Sequence, residues 1–330
     1  MKEDAPVAST SYVGLRDTGE IGEGRTWRLD ELVGPRSKHN FELIRAVPGT
    51  TVPIVDVNRR VTALVVYPAD PSLLQATQEA ANLLRNKRKE ASFAANQEEH
   101  RRGKFAVLGA GITHGNGRLK PGNILQSKTN TAVLNDIINS SPFQRLSGFA
   151  TGVLKSWAPK LYNYCSEKFE RLLASDDSLI RLFSNSVMST AAFNLGPRTI
   201  CLPHIDFSNL PFLWCFIWAL GWYNWQKGGH IILWDLKVVI EFPPGSLVAI
   251  PSGVCRHSNT RIRNNETRYS FTQYSSGGNF RWLDHGFMSE EVFAAKMSAT
   301  EAEEEEICKH ARWEMGLNLF STLDDLGLST

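Results

Sequence analysis

Three side chains in the second half of this sequence have the types and the order of a metal site: His204, Asp206 and His257. Two histidines and one carboxylate can hold one face of a metal ion and leave three coordination positions open, which is the ligand set of non-haem Fe(II) oxygenases. In an extended chain, residues i and i+2 point to the same side, so His204 and Asp206 can bind one ion together. The second histidine then has to come from a distant strand. We therefore expect these three residues to be the catalytic metal ligands.

A possible anchor for an anionic co-substrate follows His257 along the chain. Arg268 and Ser270 are also two residues apart and would share one face of a strand. A guanidinium can hold a carboxylate through two parallel hydrogen bonds, and a hydroxyl can add another donor. The sequence thus predicts that Arg268 and Ser270 bind the distal carboxylate of 2-oxoglutarate. Arg261 and Arg263 are competing candidates, but they lie in a polar loop that we expect to face solvent or DNA.

The surrounding sequence favours the metal site over a chance pattern. By itself, a histidine two residues before an aspartate is well explained by a loop in which the two hydrogen-bond to each other. Here, however, the distal histidine follows a strand-like run at 246–250, which a Pro-Pro-Gly turn at 243–245 precedes. The Arg-x-Ser pair lies in an aromatic-rich, strand-like stretch at 268–274.

Composition describes a globular protein with no sign of membrane insertion. The chain has 330 residues, of which 42% are hydrophobic and 21% charged, and it has no charge-free apolar run of about 18 residues. Its first residues are polar rather than those of a signal peptide. Five cysteines without a C-x-x-C pair indicate reduced thiols in an intracellular protein and argue against a zinc finger.

Charge is unevenly distributed along the chain. The net charge is +2, but residues 301–330 carry eight acidic and two basic side chains, so the rest of the chain is more basic than the total suggests. A basic body with an acidic tail is compatible with nucleic-acid binding. A solvated C-terminal helix rich in glutamate explains the tail equally well.

The pattern of predicted elements changes near residue 187. Before it we predict a strand at 61–67, a helix from Pro71 to about residue 100, and two or three helical segments within 130–184. After it, short strand-like runs follow one another without helices between them, which is typical of a barrel or jelly roll in an α+β protein. These runs are 187–195, 212–220, 230–235, 237–242, 246–251 and 268–274. A last helix is predicted over 289–315, capped by Ser289.

Three local patterns allow more than one interpretation. Trp214, Trp218 and Trp222 have helical spacing, but their position between turn signals favours a strand. The basic run from Arg85 to Lys104 is interpreted as a solvated face rather than a phosphate-binding one. The glycine-rich segment 109–122 predicts a mobile or closely approached loop, in which Arg118 and Lys120 could contact DNA phosphates; a plain surface loop explains it as well.

Several stretches together resemble the TET/JBP group of 2-oxoglutarate- and iron-dependent dioxygenases, which oxidise the methyl group of modified DNA bases, and in particular its fungal branch. The resemblance covers about residues 60–290. It is carried by Pro203–Pro211, Lys227–His230 with Trp234–Lys237, Glu241–Ser246, and Arg268–Tyr274.

This resemblance implies a double-stranded β-helix (jelly-roll) core with helices that buttress one sheet. It implies His204, Asp206 and His257 as ligands of Fe(II), with Arg268 and Ser270 on 2-oxoglutarate. Further expected roles are a co-substrate contact for His230, base contacts for Asn209 and for the stacking ring of Tyr274, and a hydrogen bond from an exocyclic amine to Asp235. Ser276 stands where animal members carry a histidine, so base preference is open.

The predicted function is oxidation of the methyl group of 5-methylcytosine in DNA, to hydroxymethyl-, formyl- and carboxylcytosine, on a base that has rotated out of the helix. We expect the protein to use O2, to be a monomer and to act in the nucleus. The alternatives are N6-methyladenine demethylation at the same site, a 2-oxoglutarate oxygenase acting on protein or a small molecule, and a catalytically silent DNA- or metal-binding module. We predict an N-terminal arm at 1–58, a dioxygenase domain at 59–290 with its jelly roll at about 187–280, and a C-terminal helix and tail at 291–330.

Overall fold

The computed structural model describes residues 5–16, 24–115 and 117–328. Its strands are β1 Glu42–Ile44, β2 Thr51–Val55, β3 Val61–Val66, β4 Glu99–His100, β5 Gly103–Lys104, β6 Ala106–Thr113, β7 Gly122–Asn123, β8 Thr190–Gly196, β9 Cys215–Trp222, β10 Ile231–Leu233, β11 Val238–Ile240, β12 Leu247–Ile250, β13 His257–Asn259 and β14 Thr267–Tyr274. Its helices are α1 Leu29–Leu32, α2 Pro71–Glu90, α3 Ala95–Glu98, α4 Lys128–Ile138, α5 Ser141–Trp157, α6 Pro159–Ala174, α7 Gly277–Asp284, α8 Glu290–Lys296 and α9 Ala299–Leu317.

Two sheets face each other and form the framework of the molecule. The large sheet has the order β2-β3-β12-β9-β14-β8-β6-β7, and the small sheet has the order β1-β11-β10-β13. The segment from Cys201 to His204 runs beside β13, where Asn259 N donates to the Cys201 carbonyl at 3.0 Å. From β8 to β14 the chain therefore passes back and forth between the two sheets. This alternation is that of a double-stranded β-helix, and it confirms the predicted α+β jelly roll.

The buried side chains form a layer on each side of the large sheet. Between the sheets lie aliphatic residues such as Ile217, Leu233 and Val248. On the outer face, α2, α4 and α5 pack against the sheet through rings that include Phe143, in edge contact with Phe271 at 5.1 Å between centroids. Burying both faces of a strand requires apolar residues on both, which explains why β9 is continuously hydrophobic rather than alternating.

The tryptophan run is a strand, as predicted. Trp218 is fully buried, whereas Trp222 at the end of β9 is 40% exposed. Pairing of β9 with both β12 and β14 satisfies its backbone groups, and β-branched and aromatic residues suit such a surface. Tertiary pairing therefore overrides the helical spacing of the three tryptophans.

The glycine-rich segment is partly a strand, which corrects the prediction of a loop from residue 109. Strand β6 continues to Thr113 and pairs with β8. Gly111 lies at φ +108°, and a Cβ there would stand 2.2 Å from the Ser189 carbonyl oxygen. The glycine thus allows two backbones to approach within the sheet. Asn116, in the middle of the predicted loop, lies outside the described residues.

Two helix boundaries also differ from the predictions. Helix α2 ends at Glu90 rather than near residue 100, because the chain turns to an extended conformation at Ala91. The C-terminal helix is broken in two. Ser289 caps α8, and Ser298 forms a capping box with Glu301 at the start of α9, since each serine accepts a bond from an otherwise unpaired backbone N–H.

A segment near each end of the described chain packs against the rest of the molecule. Tyr12 is buried, and its hydroxyl donates to Asp284 at 2.8 Å. Arg312 on α9 donates to the Thr10 carbonyl at 2.7 Å and lies over the Tyr12 ring. Gly277 leaves room for this segment, because a Cβ there would be 1.6 Å from the Tyr12 carbonyl oxygen. None of the helices in the described part of the chain is long and apolar enough to cross a membrane.

Candidate active site

The two histidines are brought together by backbone pairing at the edge of the small sheet. His204 N donates to the His257 carbonyl at 3.1 Å, and His257 N donates back to the His204 carbonyl at 3.0 Å. Their rings face the same side, with centroids 4.3 Å apart. Residues 53 positions apart in sequence thus become direct neighbours.

Asp206 completes the cluster from the loop after His204. Its backbone N–H is held by the Ser252 carbonyl at 2.9 Å. One carboxylate oxygen is 3.7 Å from His204 Nε2, and the other is 3.9 Å from His257 Nε2. One ligand atom from each of the three residues lies within 4.8 Å of the others. The predicted ligands are therefore placed around one common point.

Backbone carbonyls set the tautomer of both rings. His204 Nδ1 is 2.7 Å from the Leu202 carbonyl, and His257 Nδ1 is 2.9 Å from the Cys255 carbonyl. A carbonyl can only accept, so each Nδ1 carries the proton and each Nε2 keeps a free lone pair. This outer hydrogen bond is the usual arrangement for histidines that bind metal, and it aims both lone pairs toward Asp206.

Burial keeps the cluster in the protonation state that metal binding requires. Burial, aided by the neighbouring His257, lowers the pKa of His204 to about 3, and burial also lowers the pKa of His257. For Asp206, burial alone would raise the pKa, but the neighbouring His204 and His257, together with Arg102 and Arg101, outweigh burial and lower the pKa. At neutral pH the site thus offers two neutral imidazoles and one carboxylate, which fits a divalent iron ion.

Arg268 and Ser270 lie at the buried end of the same cavity. The Arg268 side chain is almost fully buried, and its Nη1 donates to the Thr199 carbonyl at 2.7 Å. Its Nε has no hydrogen-bond partner in the described structure. A buried guanidinium with an unused donor calls for an anionic acceptor. Asn194 Nδ2 donates to Ser270 Oγ at 2.7 Å, which leaves the hydroxyl hydrogen free to donate as well. This end of the cavity fits one carboxylate of 2-oxoglutarate.

The cavity has a volume of about 370 Å³, and its lining includes the three predicted metal ligands together with Arg268 and Ser270. Asn209 and Tyr274, the two predicted base contacts, also line it. Asn209 Nδ2 donates to Ser252 Oγ at 2.9 Å, so the amide orientation is fixed. Burial raises the pKa of Tyr274 to about 12, and the ring therefore stays neutral. Tyr274 shares its strand face with Arg268 and Ser270, as the even spacing predicts.

Two predicted site residues lie outside the cavity. His230 is fully buried, and its Nδ1 bonds Thr260 Oγ1 at 2.7 Å. The next residue, Ile231, lines the cavity, and adjacent residues of an extended chain point to opposite sides. Asp235 lies in the turn between β10 and β11, where it accepts the Arg256 backbone N–H at 2.6 Å. Neither residue is among those that line the cavity, and the co-substrate role of His230 and the base role of Asp235 stay predictions.

Arg118 and Lys120 are exposed on the loop after β6, as a phosphate contact would require. Arg118 Nη1 donates to the Asn123 carbonyl at 3.3 Å, and Lys120 pairs with Asp176 at 2.6 Å. Both side chains already have partners within the protein. Their role in DNA binding stays a prediction.

A hairpin that the sequence interpretation assigned to solvent supplies further cavity residues. Strands β4 and β5 form a short hairpin that carries His100, Arg101 and Arg102 to the cavity. Arg101 lies 3.6 Å from Asp206, and Arg102 is attracted to the same carboxylate. In the sequence, the available signal for these cavity residues is a histidine followed by two adjacent arginines. Nothing local distinguishes them from an ordinary basic surface.

Comparison with known proteins gives similarity to solved structures only. No protein-family model and no curated protein matches the sequence. NgTET1 in complex with 5mC DNA is similar over 74% of this chain and 85% of that chain, at 16% identity and a TM-score of 0.49. A 2OG-Fe(II) oxygenase family oxidoreductase from Burkholderia pseudomallei is similar over 67% of this chain and 87% of that chain, at 14% identity and a TM-score of 0.35. At these levels of similarity, the chemistry has to be argued from this chain's own residues.

Proposed function

We propose that this protein is an Fe(II)- and 2-oxoglutarate-dependent dioxygenase that oxidises the methyl group of 5-methylcytosine in DNA. The observation that supports it is the composition of one cavity. The cavity holds a complete two-histidine, one-carboxylate cluster, a buried arginine with an unused donor, and an amide with an aromatic ring beside them. Each part alone would suit several kinds of site, but their convergence within about 370 Å³ matches the needs of this reaction.

The residues of the chain act by binding and positioning. When bound, iron and 2-oxoglutarate supply the oxidising power that attacks an unactivated C–H bond. Arg268 and Ser270 hold the distal carboxylate and so fix the orientation of the co-substrate relative to the metal ligands. His204, Asp206 and His257 occupy one face of the site and leave the opposite face free for co-substrate and O2.

The free hydrogen-bonding groups on the substrate side suit an exocyclic amine. Ser276 Oγ donates its hydrogen to the His114 carbonyl at 2.8 Å, so toward the cavity it can only accept. Asn209 uses its Nδ2 on Ser252, and its carbonyl oxygen has no partner among the described residues. Two acceptors can receive the amino hydrogens of cytosine, whereas the O4 carbonyl of thymine would face them unpaired. The Tyr274 ring can stack on the base, which contributes about 1–3 kcal/mol.

DNA enters this proposal because a stacked base cannot reach such a cavity. The target base has to rotate out of the helix, and the cost of a few kcal/mol is offset by stacking and polar contacts in the pocket. DNA as the substrate also implies a nuclear location, which stays a prediction.

Mass spectrometry of nucleosides tests the proposal. The protein is incubated with Fe(II), 2-oxoglutarate, O2 and duplexes that contain either 5-methylcytosine or N6-methyladenine. We expect oxidised cytosines and an equal or larger amount of succinate, and neither with His257→Ala. Loss of N6-methyladenine without oxidised cytosine would mean that N6-methyladenine, and not 5-methylcytosine, is the substrate. Succinate formation with no change in either DNA would point to a protein or small-molecule substrate, and no succinate under any condition to a silent binding module.

A further inference from the structure

A second cleft, of about 520 Å³, lies on the outside of the wall that carries His204. Four chain segments form it, and each contributes one cation: Arg25, Lys104, Arg198 and Arg261. No aspartate or glutamate of the described chain lines the cleft. Four positive side chains from distant parts of the sequence therefore converge on one surface depression, which a solvated basic run along one helix would not produce.

Two of these cations have no charged partner among the described residues. Arg25 pairs with Glu31 at 2.9 Å, and Lys104 pairs with Glu99 at 2.7 Å. Arg198, by contrast, donates to the neutral Asn264 at 2.8 Å. Within the described part of the chain neither Arg198 nor Arg261 forms an ion pair with a carboxylate, and both are exposed. Among the described residues, the unpaired positive charge of the cleft is thus concentrated in two guanidinium groups.

The cleft and the active-site cavity share one layer of backbone. Along the segment before Asp206, Cys201 and His204 face the cavity, whereas Ile200 and Leu202 face the cleft. In the hairpin β4–β5, Arg102 lines the cavity and Lys104 lines the cleft. The hairpin is joined to the segment before Asp206 by a hydrogen bond from Leu202 N to the Arg102 carbonyl at 2.8 Å. A ligand that extends over this wall would therefore reach both sites.

We propose that this cleft binds the phosphodiester backbone of the DNA whose base enters the cavity. Guanidinium groups match phosphate oxygens through paired hydrogen bonds. The cations are exposed and distributed over an open cleft rather than gathered around one buried point, which suits a repeating anion better than a single small one. Duplex DNA carries a phosphate about every 3.4 Å of axis on each strand, so nucleotides close to the target base supply the anions. The base chemistry rests on the proposed function, but phosphate binding does not require oxidation.

The test removes the two unpaired charges and measures DNA binding without chemistry. The variant is Arg198→Gln with Arg261→Gln, and the probe is a labelled, unmethylated duplex of about 20 base pairs, titrated by fluorescence anisotropy with metal-free protein. We expect affinity to fall about tenfold at low salt. The slope of log affinity against log salt should become shallower by about 1.8, or roughly 0.9 for each phosphate that the variant no longer neutralises.

A matched control removes two exposed charges elsewhere. Lys160→Gln with Arg171→Gln lowers the net charge equally on helix α6, which packs against α5 and α7 rather than the small sheet. This control should keep the wild-type salt slope. Both double variants should also keep the wild-type rate of 2-oxoglutarate conversion to succinate in the absence of DNA, because neither pair contacts the cavity.

Three results would overturn the proposal. The first is a cleft variant whose affinity and salt slope equal those of the α6 control. The second is that the wild-type protein binds no DNA at low salt. The third is that the wild-type protein binds RNA of the same length more tightly than DNA and that the cleft variant loses this preference. If the cleft variant loses DNA binding while the wild type oxidises neither methylated base, the cleft proposal stands and only the proposed function fails.

Discussion

Replacing Arg268 by lysine should weaken 2-oxoglutarate binding nearly as much as replacing it by alanine. The guanidinium already uses Nη1 on the Thr199 carbonyl and has Nε unpaired among the described residues. A lysine ammonium keeps the charge but cannot bond the carbonyl and a carboxylate in the same fork geometry. We therefore expect the shape of the side chain to matter as much as its charge.

The magnitude follows from burial. Arg268 is 1% exposed, so water does not screen its interaction with the carboxylate. Truncation of one partner in a buried, hydrogen-bonded charge pair costs about 2–5 kcal/mol. This range corresponds to an increase in Kd of roughly 30- to 4,000-fold. Ser270→Ala removes one hydroxyl donor from the same charged carboxylate and should cost about 1.5–3 kcal/mol.

The assay is calorimetric titration of 2-oxoglutarate into metal-loaded protein without oxygen, so that binding is measured apart from turnover. Arg263→Lys is the matched control, because Arg263 is exposed in the loop before β14. Arg102→Lys is the informative competitor, since Arg102 lines the same cavity. If Arg102→Lys raises the Kd for 2-oxoglutarate by the larger factor while Arg268→Lys leaves it unchanged, the assignment of the anchor is refuted.

Three further predictions address the metal, the base and pH. His257→Ala should abolish turnover and also the stabilisation by metal, which is about 2.7 kcal/mol at a hundredfold excess over Kd; a variant that turns over normally would refute the ligand assignment, and thermal melting with and without metal measures the second effect. Asn209→Ala should lower 5-methylcytosine oxidation about 5- to 150-fold more than succinate formation without DNA, given about 1–3 kcal/mol for an unpaired buried group; an equal loss with Ser252→Ala would indicate that the amide only supports the loop. Burial raises the pKa of Tyr223 and Tyr274 from 10.0 to about 12, so the folded protein retains phenolic protons that the unfolded chain has released, and the free energy of unfolding should fall as pH rises from 10 to 12; denaturant titrations that give equal stability at both pH values would contradict this.

Local patterns in the sequence were enough to predict the metal cluster and the strands of the jelly roll. The order of His204, Asp206 and His257, with strand and turn signals between them, indicates a chemical type and an approximate place. Period-2 spacing also predicts the common face of Arg268, Ser270 and Tyr274, because these residues share one regular strand. For all of them, short-range geometry and the final position coincide.

Positions that depend on strand register or on distant contacts could not be predicted from the sequence. His230 and Ile231 differ by one residue, and only the pairing of β10 decides which of them faces the cavity. Arg102 reaches the cavity because the hairpin β4–β5 is bonded to the segment before His204, an interaction between residues about a hundred positions apart. In the sequence the same arginine looks like part of a basic surface.

For recombinant work, the packing of Tyr12 and of helix α9 means that the segments on both sides of residues 59–290 should be kept. A protein trimmed to residues 59–290 would lose β1 and β2, and so leave β3 as an unpaired edge and shorten the small sheet. It would also lose Tyr12 and Trp313, which belong to the main core.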